Sequence, residues 1–221
     1  PSARNAAVEE TIEIVKTVVY ALLIALFLRV FLFQPFTIPS ASMEPNLLKG
    51  DYIIVSKFSY GYSRHSAPFS PALFKGRIFG SEPKRGDIIV FKLPTDNRTD
   101  YIKRIVGMPG DRIQMVNGVL HINGTAVPRL RIGDYVRGTN GHYQKGTLYS
   151  ETLPNGRRYT VLEYRDDGMA DNTPEFLVPA NSYFVMGDNR YNSKDSRFNT
   201  DKPVWGKLYE GMVLESGATV E

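Results

Sequence analysis

The sequence predicts a mostly β fold, antiparallel sheets preceded by one N-terminal helix able to cross a membrane, and three observations lead there. An uncharged apolar run covers residues 17–28 and stands apart from the rest of the chain. Gly-Asp pairs repeatedly precede short runs of β-branched and aromatic residues, and two Asn-Gly dipeptides sit between such runs. The 221 residues include 19 Gly and 14 Pro, a density of turn formers that suits short strands better than a helical bundle. With 42% hydrophobic and 12% aromatic residues the chain can bury a sizeable core, which excludes disorder.

The apolar segment comes first. Residues 17–33, interrupted only by Arg29, make a helix about 26 Å long at ~1.5 Å per residue. That just spans a hydrocarbon core of ~30 Å once Lys16 and Arg29 snorkel at its ends. The competing reading is a cleaved signal sequence, with Ser40-Ala41-Ser42 as the small residues at its cut. The bulky Phe31-Leu32-Phe33-Gln34-Pro35-Phe36 stretch argues instead for a retained anchor. Three basic and three acidic residues within 1–33 leave charge with little say in orientation. One anchor ahead of a long polar remainder leads to the expectation that the remainder is exported.

Pro35, Pro39 and Pro45 then predict an extended segment over residues 36–46. Gly50-Asp51 introduces a strand in YIIVSKF, Gly86-Asp87 one in IIVFKL and Gly110-Asp111 one in RIQMV. The stretch IQMVNGVLHINGTAVP predicts hairpins turning at Asn-Gly, and residues 183–186 a further strand. Residues 63–83 read as a long surface loop, and 129–172 as an inserted lobe or extended ribbon.

The net charge of +4 is scattered and makes no case for nucleic acid. The absence of Cys excludes disulfides, a thiol nucleophile and a Cys-based zinc site. His65, His121 and His142 lie too far apart in sequence for a metal-binding helix, so no metal site is expected. His121 reads as a strand residue facing solvent. Chemistry therefore falls to Ser, Lys, Asp or Glu. Ser42 lies in Ile38-Pro39-Ser40-Ala41-Ser42-Met43-Glu44-Pro45, where a proline-stiffened strand with small residues can present a hydroxyl to a peptide beside it. A plain turn serine fits that stretch too. Lys103 has Ile102 and Ile105 as apolar neighbours; desolvated by such walls, a lysine loses pKa and its neutral amine can take a proton from serine. The alternative is a lysine that faces solvent.

Taken in order, Pro39-Ser40-Ala41-Ser42-Met43-x-Pro45, Gly50-Asp51, Tyr101-Ile102-Lys103-Arg104-x-Val106-Gly107-x-Pro109-Gly110-Asp111 and Gly187-Asp188-Asn189-Arg190-x-Asn192-Ser193-x-Asp195-Ser196-Arg197 resemble the bacterial type I signal peptidases. The resemblance runs from the anchor to about Phe198. It implies a membrane-anchored serine endopeptidase that removes N-terminal signal peptides from exported preproteins with a Ser/Lys dyad and no cofactor. By the same resemblance Ser42 is the nucleophile, Lys103 the general base and Ser193 the residue that orients the amine by a hydrogen bond. The Ser42 backbone N–H and the Ser40 hydroxyl form an oxyanion hole, and Arg104 with Asp188 and Asp195 with Arg197 form supporting ion pairs. Substrate lies as an added strand between residues 36–42 and 100–103, its small side chains in pockets lined by Phe36, Ile38, Pro39, Tyr101 and Ile102.

The implied division is a cytoplasmic N-terminus and anchor over 1–33, a catalytic β core over 34–112 and 179–221, and an inserted lobe over 113–178. Preprotein signal peptides and the lipid bilayer are the implied partners. The implied location is the bacterial inner (cell) membrane, single-pass, with the catalytic domain on the extracytoplasmic side. Two other readings fit parts of this pattern: a specialised relative that processes one dedicated secreted substrate, and a non-catalytic anchored β domain that binds extended peptides. Ser42, Lys103 and Ser193 together weigh against the second. Lys194, where a small residue is expected, and the loosely similar ending over 201–221 depart from the family pattern.

Overall fold

A computed structural model of the chain describes residues 3–62, 78–93, 98–139, 142–165, 167–198 and 218–220. Most of the expected loop over 63–83, His65 and nearly all of the ending over 201–221 lie outside the described residues.

Helix α1 spans Ala3–Phe31, and within it Ala7–Phe31 is long and apolar enough to cross a membrane. It starts well before Thr17 because the charged residues there are good helix formers; Lys16 even donates to Glu13 one turn back, at 2.9 Å. Charge ends the apolar run without ending the helix. The helix stops at Phe31 rather than at Phe33, since Pro35 offers no N–H and pushes Gln34 towards extended geometry.

The strands follow as β1 Phe33–Thr37, β2 Tyr52–Ser56, β3 Ile88–Lys92, β4 Asp100–Gly107, β5 Arg112–Val116, β6 Val119–Ile122, β7 Thr125–Ala126, β8 Arg129–Thr139, β9 His142–Thr152, β10 Arg158–Glu163, β11 Phe176–Leu177, β12 Phe184–Met186 and β13 Ala218–Val220. They form a six-stranded sheet in the order β1-β2-β13-β3-β4-β12, a four-stranded sheet β11-β5-β6-β7 and a three-stranded sheet β10-β9-β8. Strand neighbours within these sheets run antiparallel.

The Gly-Asp pairs are one turn used three times. Gly50, Gly86 and Gly110 have φ of 99°, 94° and 86°, which only glycine adopts without strain. Each following Asp donates its N–H to the carbonyl three residues back, at 3.1, 3.1 and 3.0 Å. Its carboxylate accepts the N–H of that same residue: Leu48 at 2.8 Å, Lys84 at 2.9 Å and Met108 at 2.6 Å. The two Asn-Gly pairs also take positive φ, 49° and 74° at Asn117-Gly118 and 54° and 78° at Asn123-Gly124, the geometry of a two-residue hairpin turn.

Residues 36–46 are not extended throughout. Extended backbone reaches Pro39, after which the chain turns: Glu44 N–H donates to the Ala41 carbonyl at 3.2 Å and Leu47 N–H to Met43 at 3.0 Å. The turn folds Met43, fully buried, into a cluster with Ile38, Val55, Val90 and Ile102. Burying that side chain outweighs the extended preference set by the prolines. Further along the same face of β4, Val106 joins Phe184 and Met186 in a core with Ile113, Leu120, Val161 and other residues of the chain between β5 and β11. His121 is half-buried, with its Nδ1 3.0 Å from the Val119 carbonyl, rather than turned fully to solvent.

Candidate active site

Alternation along β4 carries Lys103 inward, where its side chain is almost wholly removed from solvent at 3% exposure. Its Nζ donates to Ser42 Oγ at 2.8 Å and to the Ile102 carbonyl at 2.8 Å. The Tyr101 ring lies 5.3 Å away. Burial lowers the amine to about 8, working against the carboxylates of Asp195 and Asp188, which favour the charged form. Among the described residues no carboxylate reaches ion-pair distance of this amine.

The turn that carries Ser42 is pinned from the opposite side by the segment after β12. Asn189 donates its backbone N–H to the Ser42 carbonyl at 3.1 Å and its Nδ2 to the Ala41 carbonyl at 3.0 Å. Gly187 lets the two segments meet, because a Cβ there would run into the Ser42 carbonyl oxygen and the Ser193 hydroxyl. Ser40 Oγ stands 3.2 Å from Ser42 Oγ. Serine and lysine thus come together from 61 residues apart.

Behind this pair lie buried ion pairs. Arg104 binds Asp188 through Nε and Nη2, both at 2.8 Å, and donates Nη1 to the Gly86 carbonyl at 2.7 Å. Asn46 Nδ2 donates to the same carboxylate at 2.7 Å. Arg197 binds Asp195 through Nε and Nη2, both at 2.9 Å, and Asp195 also accepts the Gly187 N–H at 2.9 Å. Burial would raise the Asp195 carboxyl, but Arg197 and that N–H hold it below the ordinary carboxylate value. Ser193 is buried beside this group, and its hydroxyl helps to hold the Asp195 carboxyl low. The bond expected from it to the Lys103 amine is not formed here; the amine points instead at Ser42 and the Ile102 carbonyl.

A groove of about 400 Å³ opens in front of the pair. Phe36, Ile38, Pro39, Tyr101 and Ile102 all line it, with Ile53 and Val90 beneath. Residues 100–103 of β4 pair with β3 on one side, while β12 takes up only the stretch from Arg104 to Gly107 on the other. Among the described residues, one edge of the strand beside the groove stays open. Lys194 is exposed at the rim and plays no part in lowering the Lys103 amine.

Sequence reasoning missed a second buried cluster. Arg190 donates Nη2 to Glu151 Oε2 at 2.6 Å and Nη1 to Oε1 at 3.2 Å, and Tyr159 donates its hydroxyl to Glu151 at 2.6 Å. Leu162 of β10 donates its N–H to the Asp188 carbonyl and accepts from Arg190 N–H, both at 2.9 Å. Glu163 is pushed up to about 7 by burial. Arg190 belongs to the third motif block, but no motif marks Glu151, Tyr159 or Glu163; only the apolar alternation around Tyr159 and Val161 hints that this strand is buried.

Residues 11–216 match the model of a family described as signal peptidase, peptidase S26. A signal peptidase I of Rickettsia canadensis (strain McKiel) is 43% identical over 192 residues, 83% of this chain and 71% of that protein. A signal peptidase I of Rickettsia massiliae (strain Mtu5) is 44% identical over 191 residues, 82% of this chain and 70% of that protein. The crystal structure of a signal peptidase I from Enterococcus faecalis V583 shares 24% identity over 64% of this chain and 97% of its own, with a TM-score of 0.32, a likeness too loose to compare geometry.

Proposed function

The chain belongs to the signal peptidase family, peptidase S26, and is a serine endopeptidase; from that premise we propose that Ser42 is its nucleophile and Lys103 its general base. The observation that carries this reading is the 2.8 Å contact between Lys103 Nζ and Ser42 Oγ at the head of an apolar groove. With the amine neutral the bond reverses, and the hydroxyl donates to Nζ. As Ser42 Oγ attacks the scissile carbonyl, its proton passes to Nζ. The Ser42 N–H and the Ser40 hydroxyl stabilise the charge that develops on the carbonyl oxygen. The ammonium then protonates the departing amine, leaving an acyl-enzyme. Water attacks that ester, gives its proton to Nζ, and Ser42 Oγ recovers a proton as the acid leaves.

Substrate occupies the open edge of residues 100–103 as an added strand, the usual way an extended peptide meets a sheet. Its small side chains sit against Ile38, Ile102 and their neighbours. Arg104 with Asp188 and Asp195 with Arg197 position the loop rather than touch substrate, and Ser193 steadies the amine once bound substrate excludes water. Signal peptides of exported preproteins are the substrates. Helix α1 anchors the enzyme in the bacterial cell membrane, and residues 34–112 and 179–221, with a lobe over 113–178, act on the extracytoplasmic face.

Detergent-solubilised enzyme incubated with one preprotein tests this. A single cut behind the signal peptide, lost in Ser42→Ala, is the expected result; cleavage that survives Ser42→Ala would overturn it. The native protein should retain its N-terminal helix and stay with membranes after gentle lysis.

A further inference from the structure

The C-terminal end of α1 is held by the β domain. A helix ends with carbonyls that no further turn can satisfy, and each needs another partner. Here Leu32 N–H returns to Leu28 at 2.9 Å, Lys57 Nζ donates to the Arg29 carbonyl at 2.9 Å, and Tyr62 donates its hydroxyl to the Phe31 carbonyl at 2.9 Å. Lys57 also donates its backbone N–H to Leu32 at 3.0 Å. Its ammonium meets the negative end of the helix dipole as well.

These contacts form a joint around one buried lysine. Lys57 is 4% exposed, an unusual place for a lysine away from the catalytic pair. Tyr62 is fixed by two backbone bonds to Ile78 at 2.9 Å, and its ring meets Phe31 edge-on at 6.0 Å. Phe33 and Phe58 make a second edge-on pair at 5.8 Å. A single residue, Leu32, separates the helix from β1. The same β1 that starts at the joint reaches Phe36 at the groove, and Ile38 and Ser42 follow directly. No flexible linker lies between anchor and groove.

We propose that Lys57 and Tyr62 are positioning residues that lock the groove at a fixed height and tilt relative to the anchor, and so select which bond of a membrane-embedded substrate reaches Ser42. This rests on the reading of α1 as a membrane anchor and of Ser42 as the nucleophile. A peptide free in solution finds the groove whatever its height. A substrate held in the bilayer by its own apolar segment offers only the bond at the matching distance.

The test uses the full chain in lipid vesicles with Lys57→Met, Tyr62→Phe and both together. The substrate is a membrane-inserted preprotein carrying a short alanine tract with several chemically equivalent bonds, its products resolved by mass spectrometry. A short soluble peptide in detergent is measured in parallel. The parent should cut one bond. The double variant should spread its cuts over neighbouring bonds and lose about tenfold in rate on the embedded substrate, the scale of a small misplacement, while its rate on the soluble peptide stays at the parental value. Tyr62→Phe keeps the ring pair and folds, so it carries the test alone, with a smaller spread, if Lys57→Met does not. A double variant that cuts the same single bond at the parental relative rate overturns the proposal. Equal loss on both substrates also overturns it, since that is a structural effect only. A parent chain that washes off vesicles in carbonate overturns the anchor reading itself, and this lever falls with it.

Discussion

Lys103 and Arg104 are consecutive in β4 and both buried, yet their side chains enter opposite environments. Arg104 grips Asp188 through two bonds, and that carboxylate outweighs the burial that opposes its charge. Lys103 meets a hydroxyl and a carbonyl, and burial wins. Alternation along one strand thus puts a permanent cation back to back with one that can give up its proton.

That difference fixes a pH dependence. On the proposed assignment, the Lys103 amine, lowered to about 8 by burial, is the group that must be neutral for Ser42 to lose its proton. We expect kcat/KM on a soluble peptide to rise with pH through an apparent pKa near that value, reporting the free enzyme. A profile that climbs only where ordinary lysine titrates would sink the assignment.

Substituting Lys103 separates catalysis from stability. Its folded pKa of about 8 lies below the ordinary 10.5, so the unfolded chain binds more protons between those values and stability rises with pH across that window. At pH 7 the full cost of the buried charge is present. Lys103→Met should be inactive yet more stable to urea at pH 7, by up to about 3 kcal/mol, with the gain fading towards pH 10. Lys103→Arg should be inactive at every pH, because guanidinium keeps its proton.

Ser193 gives a two-sided test. Its buried hydroxyl supports the Asp195 carboxylate and does not reach the Lys103 amine here, so Ser193→Ala should cost only about 1 kcal/mol in urea unfolding. If the hydroxyl turns to the amine when substrate excludes water, the rate still falls by about 10²-fold. Unchanged activity would remove Ser193 from the machinery.

Substrate choice follows from the groove wall. Ile38 and Ile102 are buried and cannot draw back without disturbing the cluster around Met43. Peptides with Ala at the first and third positions before the cut should be preferred, and Phe or Leu at the first position should lower kcat/KM by at least about tenfold. Competition assays with a peptide series measure this directly.

Glu151 lies outside the pocket but should matter to the fold. Glu151→Ala strips the carboxylate from Arg190, whose guanidinium is fully buried, and should cost about 3–5 kcal/mol in urea unfolding. A loss near zero would mean that Arg190 finds water instead.

The turns were the most legible part of the sequence. A Gly-Asp or Asn-Gly pair carries its geometry within two residues, so neighbours elsewhere in the chain need not be known. Ser42 and Lys103 stood out through their local settings, but only the resemblance linked them across 61 residues. The joint at Lys57 and the pairing of Arg190 with Glu151 and Tyr159 were invisible for the opposite reason. A charged residue reads as surface unless its partner is known, and those partners lie 28 and 39 residues away. The N-terminal extent of α1 was hidden because a hydropathy pattern reports where charge begins, whereas a helix ends only where its backbone does.

Leu162 bonds through both its backbone groups to the segment from Asp188 to Arg190, and the core under β4 and β12 is shared with β5 to β11. The segment that pins Ser42 is thus hung on strands from the intervening part of the chain. Melting either part strips partners from the other, so the region beyond α1 should lose its global order in one main transition. Partial opening that frays the β8 to β10 ribbon alone disarms the enzyme long before the groove itself comes apart.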